Sequence, residues 1–165
     1  MKSEIIKKLE RVSLFDAIKD DQNSLDSLAR LMEVRKCPKG QPIIKEGDEG
    51  EEMFILFNGD VEVCKQTLAK ELYVVTKLSA ENNAFFGELA LVDNDRRSAT
   101  VMASTDCELL VLNKNKYSDF GSRDTKVGLL ITRKICQILS QRLRRANQDT
   151  VTLYEALVGE IEEST

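Results

Sequence analysis

One short stretch of the sequence carries residue types that could recognise a charged ligand. It reads FFGELAL over residues 85–91 and, after an acidic loop, RSAT over residues 97–100. Gly87 can let the backbone approach a ligand closely, and one helical turn after it would direct free N–H groups at an anion. Arg97 could point its guanidinium into a pocket, and Glu88 could accept a hydrogen bond from a ligand hydroxyl. From these residues alone, a Glu–Arg ion pair on a surface loop is the simpler interpretation.

The composition excludes several classes of chemistry. The 165 residues include no histidine, so His-based general bases, His-assisted nucleophiles and His-ligated metal sites are impossible. These kinds of site are excluded, and our expectation for the protein is no enzyme activity, no metal site and no cofactor. The 24 basic and 28 acidic residues give a net charge of −4 without a basic run. This balance predicts no direct nucleic-acid binding.

The cysteines and the N-terminus indicate the compartment. Cys37, Cys64, Cys107 and Cys136 lie far apart, which predicts free thiols in a reducing environment. The N-terminus lacks the apolar core of a signal peptide, and no run of apolar residues is long enough to span a bilayer. We expect a cytoplasmic protein that does not insert into membranes.

Residues 1–33 have helical periodicity and form the first predicted segment. Leu9, Val12 and Phe15 indicate a short amphipathic element. Asp20 or Asp21 could cap the helix that follows. In that helix, apolar residues recur with the spacing of one helical face. They are Leu25, Leu28, Ala29 and Met32.

Residues 34–113 change to short segments rich in Val, Ile and Phe. Asn58-Gly59 favours a type I′ turn between two such segments, which predicts a hairpin. A second hairpin tip is expected at residues 67–70. Two more strands are expected at Ala99–Ala103 and Cys107–Leu112. Many short strands in series predict a sandwich or small barrel.

Residues 114–165 return to helical periodicity. A single helical pattern extends from about Asp124 to Glu160, which is longer than most globular helices. Its apolar stripe comprises Ile131, Ile135, Ile138, Leu139, Leu143 and Ala146, and continues weakly through Thr150, Leu153, Leu157 and Ile161. Part of the stripe can cover the strands, and the rest needs another surface. We predict a homodimer through this helix. A helix folded back on its own chain, or a frayed tail, is the alternative.

The segment GELAL at residues 87–91, with Arg97 nine residues after Glu88, closely resembles the phosphate-binding cassette of cyclic nucleotide-binding domains. These domains occur in protein kinase regulatory subunits and in the catabolite activator protein. The resemblance covers about residues 9–147. It implies a mainly β fold with flanking helices: a double-stranded β-helix (jelly-roll) barrel at residues 34–113, N-terminal helices and a long C-terminal helix. It also implies a signalling or regulatory module that binds cAMP or cGMP.

The resemblance assigns a role to each matching position. Arg97 would pair with the exocyclic oxygens of the cyclic phosphate, and Glu88 would accept a hydrogen bond from the ribose 2′-hydroxyl. The other positions beside the phosphate and sugar would be Gly87, the N–H groups of Leu89 and Ala90, Ser98 and Ala99. Ser98 could donate one hydrogen bond from its hydroxyl.

Two positions depart from the family pattern. Asn83-Ala84 stands where the family often has Gly-Asp, and the turn can survive because asparagine tolerates a left-handed conformation. The loop at residues 93–96 carries Asp93 and Asp95, which would weaken anion binding unless they face solvent.

The resemblance also places the base beneath the C-terminal helix. Arg144 and Asn147 lie at a suitable depth along that helix, and Asn147 could pair with an adenine edge. A solvated helix face is the alternative for Asn147. The Ser98 hydroxyl is of a kind that related domains use to favour guanine. Both bases therefore stay open, with cAMP slightly preferred.

Ligand binding is expected to shift the population of positions taken by the C-terminal helix. Only 18 residues follow Asn147 (165 − 147), too few for a helix-turn-helix domain. We therefore expect an unknown effector protein, a longer parent chain, or a free-standing sensor. The alternative function is a ligand-free dimerising scaffold with a vestigial pocket. A jelly-roll enzyme of the cupin type is disfavoured, because such enzymes usually hold a metal with histidines.

Overall fold

The computed structural model describes residues 2–67 and 69–163, with side chains described as far as residue 159. Helices α1 (Lys2–Leu9) and α2 (Gln22–Leu31) flank a 3-10 helix (Ser13–Ile18). The eight strands are β1 (Glu33–Cys37), β2 (Pro42–Ile44), β3 (Glu52–Asn58), β4 (Asp60–Gln66), β5 (Leu72–Ser79), β6 (Phe85–Phe86), β7 (Thr100–Ala103) and β8 (Cys107–Asn113). A second 3-10 helix (Glu88–Leu91) lies between β6 and β7. Helices α3 (Lys114–Arg123) and α4 (Thr125–Glu163) complete the chain.

The N-terminal helices form as their sequence predicts. Asp21 caps α2, because its carboxylate accepts a hydrogen bond from the Ser24 N–H at 3.1 Å. The predicted apolar face of α2 is buried, together with Leu9, Val12 and Phe15. These side chains share one core with Ile131 and Ile135 of α4. The helices therefore pack together on one side of the strands.

The strands form two four-stranded antiparallel sheets that confirm the jelly-roll prediction. One sheet has the order β1-β8-β3-β6, and the other has the order β2-β7-β4-β5. A second core lies between the sheets and includes Phe54, Val61 and Leu109. Successive side chains of β8 point to opposite faces of the sheet and contribute to both cores: Leu109 faces the space between the sheets, whereas Leu110 faces the helices.

The predicted hairpin at Asn58-Gly59 is wrong. Strand β3 pairs with β6 and β8, whereas β4 pairs with β5 and β7, so this turn is a corner between the two sheets. Gly59 has a φ of 88°, but Asn58 is not in the left-handed region, and a type I′ turn needs both residues there. The Asn58 side chain instead accepts the Gly59 N–H at 2.9 Å. The local turn residues reverse the direction of the chain. Which strand β3 pairs with depends on strands that are distant in the sequence.

The remaining strand predictions are confirmed. Strands β4 and β5 form the second hairpin, which the Thr67 N–H closes by donating to the Glu71 carbonyl at 2.8 Å. Lys70 takes a φ of 64° at its tip, and residue 68 lies outside the described residues. Strands β7 and β8 begin and end within one residue of their predicted bounds.

Helix α4 is 39 residues long, which corresponds to about 58 Å. The helix is anchored at its start, where Ile131 and Ile135 are buried and Leu139 packs against the same core. Farther along, the predicted stripe is exposed: Leu143 exposes 63% of its surface and Leu153 exposes 71%. The side chain of Ile161 lies outside the described part. No helix within the described residues is long and apolar enough to cross a membrane.

Candidate ligand pocket

A pocket of about 370 Å³ lies against the cassette. Seven of the eight predicted ligand-binding residues line it: Gly87, Glu88, Leu89, Ala90, Arg97, Ser98 and Ala99. Apolar side chains of the second sheet, including Val63 of β4 and Leu78 of β5, also line it. The pocket therefore has a polar end at the cassette and an apolar end at strands β4 and β5.

The cassette turn takes the predicted backbone shape. Gly87 has a φ of 73°, a left-handed conformation that glycine adopts without strain. The 3-10 helix follows at once and directs its first residues at the pocket. The Ala90 N–H already donates to the Gly87 carbonyl at 3.2 Å, so it is committed to the turn. Asn83 has a φ of 52°, which confirms the expectation that asparagine can replace the usual glycine.

Arg97 is half-buried at the polar end of the pocket. Its Nη2 donates to the Glu52 carbonyl at 2.7 Å, and its Nη1 donates to the Gly87 carbonyl at 3.4 Å. These bonds use two of the five guanidinium donors. The guanidinium also lies 6.0 Å from the centre of the Phe54 ring. Backbone carbonyls and an aromatic ring therefore hold the side chain in place.

The charge of Arg97 is not neutralised by a carboxylate. Burial lowers the pKa of Arg97, since the cation loses hydration, and the charge of Glu52 partly opposes this effect. However, the Glu52 carboxylate is taken by Arg35, with two hydrogen bonds of 2.8 Å. Within the described part of the chain, Arg97 has no ion-pair partner. Such a guanidinium is suited to bind an anion.

Gly50 makes room for Arg97, a role that sequence reasoning missed. A Cβ atom at Gly50 would lie 2.3 Å from Nε and 2.5 Å from Nη2 of Arg97. The glycine stands out only as part of the turn-rich stretch before β3. Its contact with Arg97 joins residues 47 positions apart and cannot be read from local spacing.

Glu88 is almost completely buried, with 1% of its surface exposed. Its partner is Arg142 of α4, whose Nη1 donates to Glu88 Oε1. Arg142 also lines the pocket, and sequence reasoning missed it. The ion pair satisfies a carboxylate that would otherwise be costly to bury. It also connects the cassette directly to the long helix.

The structure does not bring Asn147 to the pocket. Asn147 and Arg144 are exposed on α4 and are absent from the pocket lining. Asn147 follows Arg142 by five residues, so the two side chains point about 140° apart around the helix. Arg142 faces the cassette, and Asn147 therefore points away from it in this position of α4. Pairing of Asn147 with an adenine edge has no support from this arrangement.

The acidic loop borders the pocket but faces solvent. Asp93 and Asp95 line the rim and are exposed. Water screens exposed charges strongly, so these carboxylates repel an anion at Arg97 only weakly. No group of three or more metal-ligating side chains is found among the described residues.

Comparison with known proteins agrees with this geometry. The profile of the cyclic nucleotide-binding domain matches residues 34–124, just over half of the chain. The chain is 31% identical over 109 residues to a cAMP-dependent protein kinase regulatory subunit of Pyricularia oryzae, covering 66% of this chain and 26% of that protein. It is 33% identical over 111 residues to human cGMP-dependent protein kinase 2, covering 67% of this chain and 14% of the kinase. The chain thus spans about a quarter or less of these curated relatives.

Solved structures show the same fold. The catabolite activator protein of Thermus thermophilus superposes with a TM-score of 0.75 at 27% identity, over 86% of this chain and 62% of that one. The regulatory domain of Toxoplasma gondii PKA, crystallised with cAMP, superposes with a TM-score of 0.65 at 28% identity, over 72% of this chain and 44% of that one. The profile match, the two-sheet fold and the assembled cassette lead to one conclusion: the chain belongs to the cyclic nucleotide-binding domain family.

Proposed function

We propose that the protein binds a 3′,5′-cyclic nucleotide in the pocket at the cassette. Arg97 pairs with the exocyclic phosphate oxygens, and buried Glu88 accepts a hydrogen bond from the ribose 2′-hydroxyl. The observation that carries this proposal is the half-buried Arg97 guanidinium, which is held by carbonyls of Glu52 and Gly87 and has no carboxylate partner in the described residues.

The charges around the pocket favour a cyclic phosphate over a phosphate monoester. A cyclic phosphodiester carries a single negative charge, whereas a monoester carries almost two at neutral pH. One charge suits the single unpaired guanidinium of Arg97. A second charge would meet no further unpaired cation among the described residues that line the pocket, because Arg142 is bonded to Glu88 and Arg96 lies 3.9 Å from Glu49. We therefore expect weaker binding of 5′-AMP than of cAMP.

The ligand is cAMP or cGMP, with cAMP the better ligand by a small margin. Val63 and Leu78 offer an apolar surface on which either purine can stack. The names of the relatives support both bases, since they include a cAMP-dependent regulatory subunit and a cGMP-dependent kinase. The cAMP co-crystal structure of the Toxoplasma domain favours adenine.

Calorimetric titration with cAMP, cGMP and 5′-AMP tests the proposal. We expect saturable binding of a cyclic nucleotide that Arg97→Ala weakens by about 2–5 kcal/mol, or at least roughly 30-fold. Arg133→Ala is the matched control, because Arg133 is exposed on α4 and lies outside the pocket. Unchanged affinity in Arg97→Ala would refute the assignment of Arg97. Absence of heat and of thermal stabilisation with both cyclic nucleotides would favour the ligand-free scaffold.

The ligand signal reaches α4 through Glu88. The same carboxylate that would accept the ribose hydroxyl is bonded to Arg142 in the described structure. A bound nucleotide therefore competes with Arg142 for Glu88 or shares it, and either change alters the balance of α4 positions. The protein in this proposal is a regulatory module whose output is the position of α4, sensed by an effector protein.

The exposed half of α4 provides a surface for a second copy. Leu143, Leu153 and Leu157 are exposed and recur on one side of the helix. A pair of such helices can bury these residues against each other in a coiled coil. We therefore include a homodimer through α4 in the proposed function.

A further inference from the structure

Two of the four cysteines lie directly opposite each other on neighbouring strands of the first sheet. Strand β1 pairs with β8 in antiparallel register, and the last pair of this ladder is Cys37 opposite Cys107. Both are free thiols. Directly opposed residues of an antiparallel pair have Cα atoms about 4.5–5.5 Å apart. This spacing falls within the range of about 4.4–6.8 Å that a disulfide bond requires.

The two side chains point to the same side of the sheet. Directly opposed residues in a sheet share one face. Cys107 belongs to the core between the sheets, and Cys37 packs against that same core. The proximity also shows in the electrostatics: burial raises the pKa of Cys37, and the neighbouring Cys107 thiol raises it further. The pair therefore needs no change of strand register to react.

The two thiols differ in their access to solvent. Cys37 is half-buried, whereas Cys107 is buried beneath the Gly59 corner. The Cys107 Sγ lies 3.3 Å from the carbonyl oxygens of Asp60 and Thr105. A small oxidant can thus reach Cys37 first, while Cys107 is placed to react second.

We propose that Cys37 and Cys107 form a reversible intramolecular disulfide when the protein meets a low-molecular-weight disulfide such as oxidised glutathione. The Cys37 thiolate attacks one sulfur of the oxidant, which forms a mixed disulfide and releases one glutathione thiolate. The Cys107 thiolate then attacks Cys37 Sγ and expels the second glutathione. The protein pair loses two electrons and two protons, and the oxidant gains both.

The bond would tie the end of β1 to the start of β8 and close a loop that contains the whole cassette. Closing so long a loop restricts the unfolded chain and raises resistance to unfolding. In a reducing compartment such bonds are transient and respond to the redox state. The sensing of oxidants is separate from nucleotide binding, because neither cysteine lines the ligand pocket.

The test uses the full chain with Cys136→Ser, which removes the exposed thiol that could link two molecules. The protein is incubated with oxidised glutathione, unfolded, alkylated and digested, and the peptides are measured by mass spectrometry. We expect a peptide pair linked through Cys37 and Cys107, with Cys64 alkylated as the internal control. The thermal midpoint should rise by several degrees and return to its starting value with dithiothreitol.

A second variant separates the pair from unspecific oxidation. Cys37→Ser changes the half-buried partner, so the fold is expected to tolerate it better than a change at Cys107. In Cys37→Ser, Cys107 should become fully alkylated and the thermal shift should vanish. In the Cys136→Ser protein, alkylation of all three remaining cysteines after oxidation would overturn the proposal. A mixed disulfide at Cys37 that Cys107 does not resolve would overturn it as well.

Discussion

At the scale of single residues, the site depends on how one guanidinium is held. Arg97 obtains its position from two backbone carbonyls, from the Phe54 ring and from the empty space above Gly50. None of these partners neutralises its charge. The fold thus keeps a cation half-buried and oriented, which reduces the reorganisation required when an anion binds.

Gly50→Ala is expected to weaken cyclic nucleotide binding with little effect on stability. The new Cβ would collide with the guanidinium of Arg97, which is the flexible end of a side chain and can move away. Gly50 is not in the left-handed region, so alanine does not strain the backbone. We expect a loss of about 10-fold or more in affinity, measured by calorimetry.

The melting temperature of Gly50→Ala is the control, and it should stay within about 2 °C of the wild type. Equal affinity of Gly50→Ala and wild type would show that the space beside Gly50, which holds the Arg97 guanidinium, does not matter for binding. A large drop in melting temperature would instead show that the glycine supports the fold.

At the scale of elements, polar and backbone contacts at two places along α4 add to its buried apolar residues in setting its position. Near its start, Gly128 packs against Gly121 of α3, and a Cβ at Gly128 would lie 2.8 Å from the Gly121 Cα. One turn later, Thr132 shares hydrogen bonds with Tyr117 of α3 and with the Gly128 carbonyl. Farther along, Arg142 reaches Glu88 of the cassette. The contacts with α3 hold the start of α4 against the domain, and the contact with Glu88 joins the helix to a residue of the pocket.

Gly128→Ala should destabilise the domain by about 1–3 kcal/mol, because the added methyl group meets backbone rather than a movable side chain. The gain in helix propensity, below about 1 kcal/mol, is too small to offset this clash. Urea unfolding measures the difference. Gly159→Ala in the same helix is the matched control, since a Cβ there meets nothing within 4 Å. Equal stability of both variants would contradict close packing of α3 on α4.

The contact between Arg142 and Glu88 predicts coupling between the ribose hydroxyl and α4. We compare cAMP with 2′-deoxy-cAMP in the wild type and in Arg142→Met, which keeps an unbranched apolar stem and removes the guanidinium with its charge. The hydroxyl should contribute more to affinity in Arg142→Met, because Glu88 then has no competing donor. We expect a coupling free energy of about 0.5–3 kcal/mol from the four calorimetric affinities. A hydroxyl contribution that is the same in both proteins would rule out this route to the helix.

At the scale of the whole molecule, the helices and the barrel bury one face of the first half of α4 and leave the second half uncovered. All described residues from Ser140 to Gly159 except Val158 are exposed. Isolated helices are marginally stable in water, so a partner that covers the apolar stripe would stabilise this part of α4. A second copy of the same helix is the partner that the apolar stripe predicts.

Leu153→Glu should shift the protein from dimer to monomer. Burial of one leucine contributes about 2 kcal/mol, and the substitution acts on both copies, so the dimer should weaken roughly 1000-fold. Gln148→Glu is the control for charge, because Gln148 is exposed on another side of α4. Sedimentation equilibrium measures both. A wild-type protein that is monomeric at high micromolar concentration would exclude the dimer.

The sequence by itself determined features that depend on near neighbours. The resemblance carried by residues 87–91 and Arg97 predicted the cassette, and the apolar period predicted α2 and the length of α4. Asn83 takes the left-handed φ that its side chain tolerates. Each of these depends on residues within a few turns of helix or a single loop. Local preferences of this kind are present before the chain is folded.

Only the tertiary structure decided which distant groups meet. Asn58-Gly59 has the composition of a hairpin turn, yet β3 pairs with β8, because hydrogen bonding and burial across the whole sheet outweigh the preference of one turn. Arg142 meets Glu88 across 54 positions, and Gly50 meets Arg97 across 47. The rotation of α4 decides which of its polar residues faces the pocket, and that rotation is set by packing against α3 and the first helices. Arg142 therefore reaches the cassette, while Asn147 remains in solvent.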